Sequence, residues 1–145
     1  MKVWEFLKRR MRRYGERIAL SEGQITYANL IELVENGNSG QRNIPFIAKG
    51  ATRQKQAIEI LRIMAGGNIP IPVEASYGIE REETIKKVLA NNHDDLHKTA
   101  AILFTSGTTG EPKGVKLSHK GIIEYLKGID GYFQVQKGQK ILSAR

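Results

Sequence analysis

The chain is 145 residues long, the length of one ordinary domain. It contains no cysteine, which excludes disulfides, thiol nucleophiles and thiolate metal sites. Its longest apolar run, residues 100–104, is far shorter than the roughly 20 residues that a membrane span needs, and its N-terminus lacks an apolar stretch of secretory length. We therefore expect an intracellular, cytoplasmic protein that does not enter a membrane.

The formal net charge is +8 at pH 7, and much of it lies within the first 17 residues. A basic chain favours anionic partners. Val3, Leu7, Met11 and Tyr14 recur every three or four residues, which predicts an amphipathic helix over residues 3–14 with its arginines on the outer side. Because aromatic residues are not interleaved with the basic ones, a solvated helix face is favoured over a nucleic-acid surface.

The middle of the chain alternates between strand and helix patterns. Turn residues at Glu22 and Gly23 predict a hairpin, and Thr26 is placed to cap the helix that follows. The prolines of "NIPIPVE" suggest an edge position or a strand end. In chain order, the predicted strands are 17–20, 24–26, 44–50 and 68–74, and the predicted helices are 27–35, 54–64 and 80–90.

A short apolar run, residues 100–104, predicts a strand buried on both faces, and a second strand is expected at residues 115–117. Ser118 can cap a last helix that runs from His119 to about residue 127. The alternation of strands and helices predicts an α/β fold, with layered helices and a mixed sheet.

The loop between these two strands is rich in glycine, hydroxyl groups and positive charge. Glycines let a ligand approach the backbone closely, and hydroxyls, backbone N–H groups and a lysine can all donate to phosphate oxygens. The order of residues does not fit a Walker A loop or a dinucleotide-binding loop. The composition suits a polyphosphate, although a surface hairpin made of turn residues explains the composition alone equally well.

The sequence "FTSGTTGEPKGVKLSH" (residues 104–119) resembles the phosphate-loop signature of the adenylate-forming (ANL) superfamily, and residues 105–114 match it at ten consecutive positions. Upstream, "ITYANL" and "ILRIMAGGNIPIPVEASYGIER" resemble two further motifs of the superfamily, in a style close to peptide-synthetase adenylation domains. The resemblance covers nearly all of the chain. It implies the AMP-binding portion of a ligase similar to acyl-CoA synthetases and nonribosomal peptide synthetases.

The resemblance implies that the phosphate loop, residues 104–114, wraps the β- and γ-phosphates of ATP while a carboxylate attacks the α-phosphate to give an acyl-adenylate. Lys113 is the implied catalytic residue, since it would follow the departing pyrophosphate. Mg²⁺ would accompany ATP with its ligands outside this chain, and Glu111 is not expected to bind it. The implied ATP-binding residues are Thr105, Ser106, Gly107, Thr108, Thr109, Gly110 and Lys113.

The later motifs of the superfamily do not occur within residues 1–145, and the interval between Tyr77 and Thr105 is short for the family. We therefore expect a single, incomplete N-terminal part of an adenylation domain that acts with a complementary polypeptide or a carrier protein, and that self-associates through an uncovered sheet edge. The alternative is a noncatalytic binding module that retains this part of the fold. The residues specify neither the carboxylate nor the acyl acceptor.

Several other polar and aromatic residues have ordinary interpretations. His93 and His97 flank two aspartates, but a solvated loop is favoured over a metal site there, so no metal ligand is predicted. His119 is expected to make a contact at a helix start and no chemistry. The remaining aromatic residues are expected to pack, Trp4 and Tyr14 on the first helix and Tyr27 and Tyr77 beneath the sheet.

Overall fold

The computed structural model describes residues 1–36, 42–76, 78–90, 95–106 and 112–133. Helices and strands alternate along the chain, which confirms the predicted α/β class. The helices are α1 (Val3–Met11), α2 (Tyr27–Glu35), α3 (Arg53–Ala65), α4 (Ile79–Ala90) and α5 (His119–Phe133). The strands are β1 (Ile18–Leu20), β2 (Ile25–Thr26), β3 (Pro45–Ala48), β4 (Ile69–Pro72), β5 (Thr99–Ser106) and β6 (Pro112–Ser118). They pair two by two, β1 with β2, β3 with β4 and β5 with β6.

The N-terminal layer is built around Trp4, which is 3% exposed and packs with Leu30 and Val34 of α2. The Trp4 indole N–H donates to the Glu35 carboxylate over 3.2 Å, so the polar edge of the ring is satisfied at the rim of the core. Burial of a large aromatic ring between helices is a main source of apolar stabilisation for a layer of this size. The predicted packing role of Trp4 is confirmed.

Helix α1 is shorter than its apolar pattern predicts. It ends at Met11, because the next amides bond three residues back, Arg13 N–H to the Arg10 carbonyl (3.1 Å) and Tyr14 N–H to the Met11 carbonyl (2.9 Å). Tyr14 is 43% exposed and lies outside the helix, so the prediction that it packs on α1 was wrong. Its ring lies 5.6 Å from that of the half-buried Tyr27.

The predicted hairpin and helix caps are confirmed by the backbone. Strands β1 and β2 pair antiparallel, and a short 3₁₀ turn joins them through Gly23, whose φ is +79°. The Thr26 hydroxyl accepts from the Asn29 amide over 3.1 Å and caps α2. Likewise the Ser118 hydroxyl accepts from the Gly121 amide over 3.0 Å in the first turn of α5.

Strands β3 and β4 are parallel and are connected through α3, which makes a βαβ unit. The prolines of β4 are tolerated because β4 has one hydrogen-bonded neighbour, β3, among the described strands. Ile69 and Ile71 of β4 are fully buried. At the carboxyl ends of the strands, the Gln56 side-chain amide donates to the carbonyls of Ala48 (3.1 Å) and Val73, and so ties α3 to both.

The second half of the core lies between β4, α4 and the β5–β6 hairpin. Its buried members are Ile69, Ile71, Val73, Ile85 and Ile102. The prediction that β5 is buried on both faces holds over residues 100–102. It was wrong for Leu103, which is 40% exposed, because the outer face of the hairpin is uncovered in this structure.

Candidate functional site

The glycine-rich loop of the sequence is carried by the β5–β6 hairpin. The strands pair antiparallel, and the last two pairs before the loop are Thr105 with Lys113 and Ser106 with Pro112. Residues 107–111 lie outside the described residues, and with them the predicted phosphate-binding residues Gly107, Thr108, Thr109 and Gly110. The structure therefore places both ends of the phosphate loop directly across from each other.

Thr105 and Lys113 form the outermost described pair on the open face of the hairpin. Both are exposed, and directly paired residues of an antiparallel sheet project to the same side with Cβ atoms about 5 Å apart. Lys113 takes part in none of the ion pairs found among the described residues. A hydroxyl and a cation at this spacing can donate to neighbouring oxygens of one phosphate chain.

Gly114, on the other face of the hairpin, has a packing reason to be glycine. A Cβ atom there would lie 3.1 Å from Cζ of Phe104 and 3.3 Å from Cγ2 of Ile102. The Phe104 ring thus covers the backbone of the returning strand and packs against the core between β4, α4 and the hairpin. The sequence suggests ligand access as the reason for this glycine, whereas the structure shows close packing. The sequence motif alone does not distinguish Phe104 from an ordinary strand residue, whereas the structure shows its ring packed against the returning strand.

The opposite end of the hairpin is fixed by His119. The His119 amide donates to the Lys98 carbonyl over 3.1 Å, and its ring Nδ1 accepts from the backbone N–H of Val3 over 3.2 Å. Burial lowers the pKa of His119, and the nearby charges of Lys2 and the N-terminal amine lower it further. His119 makes the predicted structural contact, but with the start of α1 instead of its own helix.

No metal site was predicted at His93, His97 and the two aspartates between them. The structure describes only Asp95 and His97 of these four residues. The Asp95 carboxylate accepts from the His97 amide over 2.9 Å, and the His97 ring nitrogen Nδ1 lies 3.1 Å from the Asn43 side-chain nitrogen. His93 and Asp94 lie outside the described residues. Across the described ranges, no three histidine or acidic side chains converge on one point.

A second concave region, of about 620 Å³, lies at the carboxyl ends of β3 and β4. It is lined by residues 50–53, Gln56 and residues 74–75. The Thr52 hydroxyl already accepts from the Lys55 amide over 3.2 Å and caps α3, and the Gln56 side chain is committed to two strand carbonyls. These two polar side chains of the cleft thus serve the local fold. In none of the described helices is there an apolar stretch long enough to cross a membrane.

Residues 46–144 match the family model described as AMP-binding enzyme, and the chain belongs to this family. A long-chain-fatty-acid–acyl-carrier-protein ligase of Arabidopsis thaliana is 36% identical over 89 residues, which cover 56% of this chain and 12% of the relative. A D-alanine–D-alanyl carrier protein ligase of Streptococcus pyogenes is 31% identical over 133 residues, which cover 83% of this chain and 26% of the relative. The chain thus spans about an eighth and a quarter of these two relatives.

Two solved structures show the same fold. The N-terminal subdomain of NpsA from Klebsiella oxytoca, in complex with 3-hydroxyanthranilyl-AMSN, aligns with a TM-score of 0.59 at 22% identity, over 84% of this chain and 42% of that one. The nonribosomal peptide synthetase FmoA3 aligns with a TM-score of 0.71 at 19% identity, over 93% of this chain and 19% of that one. The resemblance to the adenylate-forming superfamily is confirmed, and the α/β architecture is that of adenylation-domain N-terminal regions.

Proposed function

We propose that this chain supplies the ATP phosphate-binding hairpin of a ligase that activates carboxylates as acyl-adenylates. One observation carries the proposal: strand pairing sets Thr105 beside Lys113, both exposed, at the mouth of a loop with the superfamily's phosphate-binding sequence. Family membership supports it, as do the relatives that are named ligases.

In this reaction a carboxylate oxygen attacks the α-phosphorus of ATP. The bond from that phosphorus to the bridging oxygen breaks, and pyrophosphate departs with the bonding electrons. Catalysis of such a transfer depends mainly on positioning and on neutralising charge. The proposed donors to the β- and γ-phosphates are Thr105, Ser106, Gly107, Thr108, Thr109 and Gly110, and Lys113 is proposed to neutralise the leaving pyrophosphate.

Mg²⁺ is proposed to arrive with the nucleotide. When bound, it would reduce the charge on the phosphates, and it usually takes few protein carboxylates. The described residues do not fit a metal site built by the protein, since no three acidic or histidine side chains converge within those ranges. We propose that this chain contributes contacts with the phosphates and that the Mg²⁺ ligands lie outside it.

We propose a carrier protein as the acyl acceptor, on the basis of the names of two relatives. Both ligases described above are named for transfer to a carrier protein, and we propose such a protein as a partner of this chain.

Self-association stays a prediction. The exposed cross-strand pair Leu103 and Val115, 40% and 47% exposed, is the apolar surface on which it would act.

The proposal is tested by titrating the full chain with ATP, pyrophosphate and AMP, using calorimetry or backbone amide NMR shifts. Lys113→Ala is expected to weaken ATP and pyrophosphate binding about tenfold, as expected for one charge-assisted contact to phosphate. AMP lacks the β- and γ-phosphates, and its binding should change little. Lys120→Ala, which removes an exposed lysine from α5, is the matched control.

Equal ATP affinity in the wild type and Lys113→Ala would contradict the proposed role of the loop. That result would favour the alternative, a noncatalytic module that retains the fold. Loss of ATP binding in the Lys120→Ala control would instead indicate a general effect of net charge.

A further inference from the structure

A cleft of about 410 Å³ lies between the end of α4 and the face of the β5–β6 hairpin that carries Ile102. We call it the α4 cleft. Ile102 is 2% exposed, and two of the leucines that line the cleft pack against the same core cluster. A volume of this size with apolar walls is typical of sites for small ligands. The apolar lining residues are Pro45, Leu89, Ala90, Leu96 and Ile102.

The other lining residues of the α4 cleft are both lysines. Lys116 pairs directly with Ile102 across the hairpin, so the two side chains project to the same side. Lys86 comes from α4, on the opposite wall. None of the residues that line the cleft is acidic. The cleft thus combines apolar walls with positive charge.

The two lysines also have contacts within the fold. Lys86 forms an ion pair with Glu83 over 2.6 Å, but the side chains are 58% and 52% exposed, so solvent screens this pair and a ligand can compete with Glu83. Lys116 is half-buried and interacts within the fold as well, so it contributes the sign of its charge and not an unpaired ammonium group. Lysine stems can lie along apolar walls while their charged ends stay near water.

Two other clefts in the described part of the chain have linings of mixed charge. The cleft at the carboxyl ends of β3 and β4 contains Glu74 and Arg53. A cleft beside α2 and α3 contains Glu59 together with basic residues. An acidic side chain in the lining repels the charged end of an anionic ligand. Of these three clefts, the α4 cleft alone is lined by apolar and basic side chains without an acid.

We propose that the α4 cleft binds an anionic amphiphile, a small molecule with one apolar chain and one anionic head group. Lysine pairs with carboxylates and phosphates alike, so a carboxylic acid and a phosphate ester of the same chain are both candidate ligands. Thr105 and Lys113 lie on the other face of the hairpin, because side chains alternate along a strand and both are three positions from the pair that lines the cleft. The site is therefore separate from the phosphate loop and does not rest on the proposed function.

The experiment titrates the full chain with decanoate, decyl phosphate and 1-decanol, each below its critical micelle concentration, and follows backbone amide NMR shifts. Both anions are expected to shift amides at residues 86–90, 102 and 116, and the tighter binder identifies the preferred head group. Decanol, which carries no charge, is expected to bind at least about fivefold more weakly. Octanoate should bind about tenfold more weakly than decanoate, since each buried CH₂ group contributes about three- to fourfold in affinity.

Two variants test the cleft itself. Ala90→Trp places a large ring in the cleft from an exposed position at the end of α4, and is expected to weaken binding of both anions at least about tenfold. Ala51→Trp, at an exposed position outside the α4 cleft, is its matched control. Lys116→Gln is expected to weaken binding of the anions about fivefold and to leave decanol binding unchanged. Its matched control is Lys120→Gln, at an exposed lysine of α5.

Failure of both anions to bind the wild-type chain would overturn the proposed site, as would equally tight binding of decanol. Shifts centred on the arginines of α1 would show binding to a general basic surface, and would overturn it too. If circular dichroism shows that Ala90→Trp does not fold, the lysine variant and the chain-length series decide the question. ATP titration of Lys116→Gln is expected to match wild type, so failure of this site and failure of the proposed function are distinguishable.

Discussion

The βαβ unit and the β5–β6 hairpin each depend on a glycine that has no room for a side chain, but the obstacle differs. At Gly50, before α3, a Cβ atom would lie 2.3 Å from the Gln56 backbone nitrogen. At Gly114, in β6, it would lie 3.1 Å from the tip of the Phe104 ring. A helix backbone cannot move without losing hydrogen bonds, whereas a ring at the edge of a core can rotate.

The two regions also differ in how far their polar side chains are occupied by contacts within the fold. In the βαβ unit, the Gln56 side chain bridges both strand ends and the Thr52 hydroxyl caps α3, so both groups are occupied by contacts within the fold. The hairpin is fixed at its base and leaves Thr105 and Lys113 exposed at its far end. Substitutions in the first region should act on stability, and those in the second should act on ligand binding as well.

Gly50→Ala is expected to have the largest effect. Because the added methyl group meets backbone atoms of α3, the helix must shift away from β3, at a cost of about 3 kcal/mol in the free energy of unfolding. Urea unfolding followed by circular dichroism measures this loss.

Gly128→Ala is the matched control, for which a change in stability of the opposite sign is expected. It lies within α5 with nothing within 4 Å of the added Cβ, so a gain of about 0.5–1 kcal/mol is expected. Unchanged stability of Gly50→Ala would show that α3 is free to shift.

Gly114→Ala is expected to have a smaller effect on stability, about 1 kcal/mol, because the Phe104 ring can move aside. Since that movement disturbs the strand next to Lys113, ATP binding should also weaken severalfold. The decisive measurement is a double-mutant cycle with Phe104→Leu. The smaller side chain removes the closest contact, so Gly114→Ala should cost less in that background. Additive effects would show that Phe104 does not position the returning strand.

Elements with local sequence signals were predictable. Thr26 and Ser118 were identified as helix caps because a cap needs only its own hydroxyl and an amide three residues later. The β1–β2 hairpin and the positions of α2 and β5–β6 follow from turn residues and short-range periodicity. The order of the residues in the phosphate loop predicted the family, and family membership is confirmed. The roles of the individual loop residues stay predictions.

Contacts between distant parts of the chain were not predictable in this way. The Val3–His119 hydrogen bond joins residues 116 positions apart, and no local pattern specifies which helix start the imidazole will reach. Gly50 looked like a strand end, although its tight packing depends on where α3 crosses β3. Tyr14 continued the apolar periodicity of α1, but the tightened last turn carried it out of the helix.

The side chains that hold the two regions in place differ in their response to pH. The βαβ unit is tied by the Gln56 amide, which does not titrate, whereas the hairpin base is tied by His119. Burial holds the pKa of His119 below its ordinary value, so the unfolded state takes up a proton at higher pH than the folded state does. This contribution to stability is complete above the unfolded pKa of about 6.5 and decreases as the pH falls toward the lowered folded pKa.

Amide hydrogen exchange between pH 7.5 and 5 measures this contrast once the intrinsic exchange rates are corrected for pH. Below about pH 6.5, protection should fall for amides at the base of β5 and β6, near residues 99 and 118, and stay constant in β3 and β4. His119→Asn keeps an acceptor near the Nδ1 position and does not titrate, so the pH dependence at the hairpin base should disappear. His97→Asn, at an exposed histidine, should leave that dependence in place. Equal loss of protection in both regions would show that acid acts on the whole fold, and His119 would then not be a local anchor of the hairpin.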